Sequence, residues 1–81
     1  MTRREQIAGC ILQALAEWDA PANAAVIQAQ VAPLFAPPLL MSEFDESLGL
    51  CERSRWIAGI RTGTKGVRWG LTDEGRAELM R

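Results

Sequence analysis

The side chains with the clearest chemical potential are the cations in the last third of the sequence. Nine of the 81 residues are lysine or arginine. The candidate cluster consists of Arg53, Arg55, Arg61, Lys65 and Arg68. Guanidinium and ammonium groups form strong hydrogen bonds with phosphate oxygens, so these residues predict contact with an anionic backbone. A simpler interpretation is also possible, in which these charges prevent the exposed edges of a solvated hairpin from pairing with strands of other molecules.

Catalysis is disfavoured by the residue types that the sequence lacks. It contains no histidine and no tyrosine, and its one lysine, Lys65, lies in a polar turn with no group to activate it. The acidic pairs Asp45–Glu46 and Asp73–Glu74 occupy consecutive positions of predicted helices and therefore point apart. No phosphate-binding glycine loop and no metal-ligand spacing is present. We expect no catalytic, cofactor or metal site.

Composition predicts one small domain over residues 1–81 that does not enter a membrane. The net charge is −1 and the pI is near 5.3, which is not the strong basic excess typical of proteins that neutralise many phosphates. No apolar run is long enough to span a bilayer, and no apolar segment follows the arginines near the N-terminus, so we expect a cytoplasmic protein without a signal peptide. We interpret Cys10 and Cys51 as buried free thiols, because no zinc spacing accompanies them.

Capping residues and hydrophobic spacing predict two helices in the first half. Thr2 and Glu5 match a capping box that begins a helix over 3–18, and Asn23 is a suitable cap for a helix over 24–32. The second helix offers Val26, Ile27 and Val31 to the core. In the first helix, Leu12 packs on the last helix or forms a dimer seam, and Gly9 indicates close approach of another element.

A proline-rich connector leads to the third helix. We expect its apolar residues to lie on the core; they are Leu34, Phe35, Leu39 and Leu40. Ser42 is the expected cap of a helix that reaches about Ser54. Its predicted core face is Phe44, Leu48 and Cys51, and its predicted outward side is Glu46, Gly49, Leu50 and Arg53.

A hairpin and a last helix complete the pattern. Two strands, 56–61 and 67–71, are rich in β-branched and aromatic residues and flank a turn in which Gly63 and Gly66 permit positive φ angles. Thr72 is the expected cap of a helix over 73–80, with Ala77 and either Leu79 or Met80 facing inward. Trp56 and Trp69 could stack on the bases of a single strand, but we interpret them as part of the core or as support for the hairpin.

This order of elements resembles a winged helix-turn-helix domain, an α+β fold that is mostly helical. The closest similarity is to the L-T-x-x-G-R-x-x-L ending of MarR-like and PadR-like bacterial proteins, here Leu71, Thr72, Gly75, Arg76 and Leu79. The physical content of that motif is a helix cap and a tight join between strand and helix. The motif therefore indicates the fold more directly than the function.

The resemblance implies that the third helix enters the major groove of DNA while the hairpin touches the backbone or the minor groove. The third helix is acidic, however, since Glu43, Asp45, Glu46 and Glu52 outnumber Arg53. Our first hypothesis is therefore a small bacterial or phage protein, such as a transcriptional regulator, that binds double-stranded DNA mainly through its basic hairpin. We expect it to act as a homodimer or within a larger assembly.

The acidic helix supports a second hypothesis from another class. In it, the domain is a protein-interaction module that docks on a cationic partner through Glu46 and an exposed Leu50. Binding to a generic duplex at low salt would distinguish the two hypotheses.

Overall fold

The four predicted helices and two predicted strands occur in the expected order in a computed structural model that describes residues 2–61, 63 and 66–81. The helices are α1 (Arg3–Trp18), α2 (Ala24–Val31), α3 (Met41–Arg53) and α4 (Asp73–Leu79), and a short 3-10 helix, Ala32–Leu34, follows α2. The strands are β1 (Ala22–Asn23), β2 (Ile57–Arg61) and β3 (Val67–Leu71). The arrangement of three helices, a hairpin and a closing helix confirms the predicted winged-helix fold. Within the described residues, no helix has the length and apolar character needed to cross a membrane.

Three of the helices begin where the capping residues predict. The side-chain oxygens of Thr2, Asn23 and Thr72 each accept a hydrogen bond from the backbone N–H three residues further on, at 3.2, 2.9 and 3.0 Å. Each cap satisfies one of the backbone donors that the first turn of a helix leaves without a partner.

The predicted start of α3 is wrong by two residues, since a helix capped by Ser42 would begin at Glu43. The helix begins at Met41, so Ser42 lies inside its first turn and does not cap it. The Glu43 carboxylate instead accepts the backbone N–H of Leu40 at 3.1 Å. A glutamate in the first turn can replace a capping hydroxyl because it reaches back to the same unsatisfied donors.

The hydrophobic core lies mainly between α1 and the elements that pack on it. Its buried members are Ile7, Ala8, Ile11, Leu12, Ala14, Leu15, Ile27, Val31, Leu39, Phe44, Leu48, Cys51 and Ile57. Leu12 is only 1% exposed, so its side chain is not available for a dimer seam. Cys51 is buried as predicted, and burial raises the pKa of its thiol to about 12. Cys10 is half-buried rather than buried.

Several apolar residues predicted to face the core are exposed. The prediction that Val26 faces the core is wrong, because the buried stripe of α2 runs through Ile27 and Val31. Val26 lies one position off that stripe and is exposed. Leu34 and Leu40 are each 65% exposed, whereas Leu39 is buried and Phe35 is half-buried against the core. In α4, both Ala77 and Met80 are exposed, Leu79 is half-buried, and Gly75 is the buried residue.

The sheet has a strand that the sequence did not predict. β1 pairs antiparallel with β3, placing Ala22 opposite Trp69 and Asn23 opposite Arg68, so the order is β1-β3-β2. A two-residue strand shows no alternation of apolar and polar positions, and sequence pattern therefore cannot find it. Because β3 is central, it is fixed on both sides. We call β2, β3 and the turn between them, residues 57–71, the wing.

Candidate nucleic-acid interface

The wing presents one predicted arginine on each of its faces. Arg61 lies opposite Val67 at the end of β2, and Arg68 lies opposite Ile60 on β3. Cross-strand partners share a face and successive residues alternate, so Arg61 and Arg68 project to opposite sides of the wing. Both are exposed. Lys65, the third predicted contact of the wing, lies outside the described residues.

The other two predicted arginines lie at the base of the wing. Both Arg53, the last residue of α3, and Arg55 are exposed. The Arg53 guanidinium lies over Gly49, where an added Cβ would be 3.4 Å from its Nη1. At a strand rise of about 3.3 Å per residue, roughly 20 Å of chain separates Arg55 from Arg61. The structure therefore gives two pairs of arginines, one near the tip and one at the base, and not one continuous patch.

Arg55 occupies a backbone conformation that usually belongs to glycine. Its φ angle is 63°, just after the end of α3. The N–H of Arg55 donates to the carbonyl of Glu52 and the N–H of Trp56 donates to that of Cys51, both at 3.0 Å. This pattern of hydrogen bonds is the Schellman motif, in which glycine is the commonest residue at the left-handed position. An arginine at this position carries backbone strain that glycine would not.

We predict that glycine at position 55 stabilises the fold. The Arg55→Gly variant should have a free energy of unfolding about 1 kcal/mol above that of Arg55→Ala, because alanine removes the charge but retains the strain. Urea denaturation followed by circular dichroism at 222 nm measures the free energy of unfolding of both variants. Equal stabilities for the two variants would contradict the assignment of strain. A gain with glycine would mean that the arginine is present for a reason other than stability.

The predicted motif at the end of the wing fixes α4 to the end of α3. The Thr72 hydroxyl donates to the carbonyl of Arg55, and the backbone N–H of Thr72 donates to the carbonyl of Trp56 at 3.0 Å. Gly75 packs directly on that Trp56 carbonyl, with no room for a side chain. These contacts join the two ends of the wing at its base, so the orientation of the wing is set by the helices.

The acidity of α3 is partly neutralised by α1. Arg3 Nε lies 2.8 Å from a carboxylate oxygen of Glu43, and Arg4 Nη2 lies 2.9 Å from one of Glu46. The backbone N–H of Leu40 and the Arg3 guanidinium lower the pKa of Glu43. Sequence spacing could not reveal these pairs, because about 40 residues separate their members. The first two turns of α3 therefore carry less unpaired negative charge than the sequence indicates.

The residues of the predicted acidic docking surface are both engaged within the domain. Glu46 is held by Arg4. Leu50, expected to be exposed, is half-buried and packs against the core. The side chain of Leu50 is drawn inward because α3 buries a broad face that also includes Ser47, whose hydroxyl donates to the Glu43 carbonyl at 2.9 Å.

Ion pairing divides the arginines of the described chain into two groups. Arg3, Arg4, Arg76 and Arg81 each have a carboxylate oxygen within 4.0 Å. Over residues 2–61, 63 and 66–81, no such partner is found for Arg53, Arg55, Arg61 or Arg68. These four arginines, which have no carboxylate partner in the described chain, are the ones that the sequence predicts to contact phosphate. Nowhere in the described chain do three potential metal ligands come together.

Comparison with known proteins supports the fold. No family model matches the chain, and no curated protein matches it in sequence. Among solved structures, it is similar to the crystal structure of a "putative transcriptional regulator" from Thermoplasma acidophilum, with a TM-score of 0.78. The match covers 98% of this chain and 80% of that chain at 19% sequence identity. At this identity the likeness shows a shared fold and nothing more.

Proposed function

We propose that this domain binds double-stranded DNA and that its wing supplies the principal contacts. The observation that carries the proposal is the set of arginines without carboxylate partners, Arg53, Arg55, Arg61 and Arg68, on and beside a winged-helix hairpin. An exposed guanidinium without an internal partner is free to form charge-assisted hydrogen bonds with phosphate. Lys65 belongs to the same proposed site by its position in the sequence between the two strands.

The arrangement of the wing favours insertion edge-on into a groove. With Arg61 on one face and Arg68 on the other, a flat surface could meet only one of them. A groove walled by two phosphate backbones would meet both. The minor groove is about 6 Å wide, and its negative potential is strongest where A·T tracts narrow it. We therefore propose that the wing enters the minor groove while Arg53 and Arg55 bind the backbone beside it.

The ion pairs between α1 and α3 make this docking compatible with an acidic reader helix. Arg3 and Arg4 offset the charges of Glu43 and Glu46, so the beginning of α3 repels phosphates less than four free carboxylates would. A carboxylate that remains unpaired can still accept a hydrogen bond from a cytosine amino group. In this proposal α3 contributes orientation and some base selection, and the wing contributes most of the affinity.

Regulation of transcription is the biological role that we favour. The structural neighbour is named as a regulator of that kind, and the L-T-x-x-G-R ending resembles MarR-like and PadR-like proteins. Both similarities concern fold and local motif, so they support this role without bearing on the target sequence.

We predict that a fluorescent duplex with an A·T-rich centre binds with a strong dependence on salt. Contacts from the four arginines and Lys65 correspond to a slope of about −4.5 in log K against log salt. Amide NMR shifts should concentrate at residues 53, 55, 61 and 68, with those at residues 61 and 68 larger for the A·T-rich duplex than for a G·C-rich one. Absence of any shift or anisotropy change at the lowest salt would exclude the proposed function.

The protein-docking hypothesis is the weaker one. It needs an available carboxylate at Glu46 and an exposed leucine at Leu50, whereas the first is paired with Arg4 and the second packs on the core.

A further inference from the structure

A long apolar groove lies along the outer side of α1, on residues that the proposed DNA contacts do not use. It has a volume of about 690 Å³. Its apolar lining comes from Gly9, Cys10 and Leu12 of α1 together with Leu34, Trp56 and Leu79. The polar rim includes Glu5 and Glu17, which are 12 residues apart and therefore about 18 Å apart along the helix axis. The groove is thus about as long as three turns of a helix.

Gly9 at the groove floor has no explanation within this domain. Glycine inside a helix is unfavourable relative to alanine, and we expected it to admit a neighbouring element. In the described chain, however, no atom beyond its own helix backbone and its chain neighbours lies within 4 Å of where a Cβ of Gly9 would be. The space that this glycine leaves is open to the outside. It forms a notch in which the backbone or an apolar side chain of another molecule could approach α1 closely.

The charge of the rim indicates the partner. Glu5, Glu17 and Glu78 lie around the groove, and the described lining contains no lysine or arginine. Arg81 reaches Glu78 from outside the lining at 3.5 Å. Among described residues no cation lies within 4.0 Å of the carboxylates of Glu5 or Glu17. A partner with an apolar stripe would pack on the floor of the groove, and cations beside that stripe would pair with the carboxylates of the rim.

A second copy of this chain fits the groove less well. Packing two such grooves together would bring acidic rims face to face, and like charges in close proximity are destabilising. Leu12, the residue that suggested a dimer seam, is buried in the floor and has no free surface to offer.

We propose that this groove binds a cationic amphipathic helix of a partner protein, with the helix crossing α1 at Gly9. The apolar stripe of the partner packs against Trp56, Leu79 and Leu34, and its flanking lysines or arginines pair with Glu5 and Glu17. This mode of recognition lays the apolar face of a helix into a groove, and it requires anchors at helical spacing.

The test uses a synthetic 15-residue peptide with leucines at positions i, i+3, i+4 and i+7 and lysines on both flanks of that stripe. One control peptide carries glutamates in place of the lysines, and another has the same composition with the leucine spacing scrambled. Binding is measured by calorimetry and by the NMR shift of the Gly9 amide. We expect the lysine peptide to bind at least tenfold more tightly than either control and to shift Gly9. Equal binding of the three peptides would overturn the proposal.

Variants of the protein locate the site. Gly9→Arg fills the notch, and the paired reversal of Glu5 and Glu17 to lysine inverts the rim; each should weaken binding of the lysine peptide at least tenfold. Gly9→Arg should fold, because its side chain enters open space. Glu52→Lys, an exposed acid on α3 outside the lining, should change the affinity by less than twofold.

The same variants exclude the competing occupant. Sedimentation equilibrium of the wild-type protein and of Gly9→Arg tests whether the groove joins two copies. A wild-type dimer that Gly9→Arg converts to monomer would assign the groove to a second copy and overturn the proposal. Gly9→Arg should not weaken DNA binding, since it lies away from the wing and adds no negative charge, so a failure here is separable from a failure of the proposed DNA binding.

Discussion

Replacement of Gly75 by alanine should lower the free energy of unfolding by about 3 kcal/mol, or roughly 15 °C in melting temperature. The Cβ of alanine would overlap the Trp56 carbonyl oxygen and come within 2.7 Å of Leu71 Cδ1. Backbone atoms cannot yield as a flexible side chain can. The Trp56 carbonyl would have to move, and its hydrogen bond from the Thr72 N–H would be lost.

The domain contains its own control for this experiment. Gly9 is also a helical glycine, but its Cβ position is open, so Gly9→Ala should stabilise the protein by about 1 kcal/mol. Thermal unfolding of the two variants under one set of conditions compares a crowded site with an open one. A Gly75→Ala protein as stable as the wild type would show that α4 does not pack on the base of the wing as described.

Removal of the two wing arginines should cause the largest loss of DNA affinity. We expect Arg61→Ala and Arg68→Ala each to weaken binding about tenfold at low salt, and the double variant about a hundredfold, because each removes a charge-assisted contact with phosphate. The slope of log K against log salt should become less steep by about 0.9 for each arginine removed. Fluorescence anisotropy with one labelled duplex at several salt concentrations measures both quantities.

The additivity of these losses tests the edge-on geometry. Arginines that project to opposite faces contact different strands, so their effects should add, whereas two side chains sharing one phosphate would be partly redundant. Arg81→Ala is the matched control, since Arg81 is exposed but pairs with Glu78. If Arg81→Ala weakened binding as much as Arg68→Ala, net charge rather than the wing would explain the affinity.

Local signals in the sequence predict the elements of this fold well. The caps at Thr2, Asn23 and Thr72 depend on residues only three positions apart, and the apolar spacing of α3 identifies Phe44, Leu48 and Cys51 as core. Each of these features depends only on residues that are a few positions apart, so a short stretch of sequence is enough to predict it.

Features that depend on contacts between distant residues could not be predicted from local sequence patterns. The pairing of Arg3 with Glu43 and of Arg4 with Glu46 requires α1 to lie across the start of α3, which no local pattern encodes. The exposure of Leu34 and the embedding of Leu50 depend on how the connector and α3 lie on the core. The separation of the candidate site into two arginines near the tip of the wing and two at its base depends on the lengths and register of β2 and β3.

The pairing of β1 with β3 also bears on how the chain is made. Ala22 and Asn23 emerge early during translation, yet their partners Trp69 and Arg68 come more than 40 residues later. Until the ribosome has added those residues, the first two helices are joined by a segment whose backbone groups have no strand to meet. The sheet can therefore be completed only after β3 has been made. Closing such a long loop late makes completion of the sheet a slow step relative to formation of the helices.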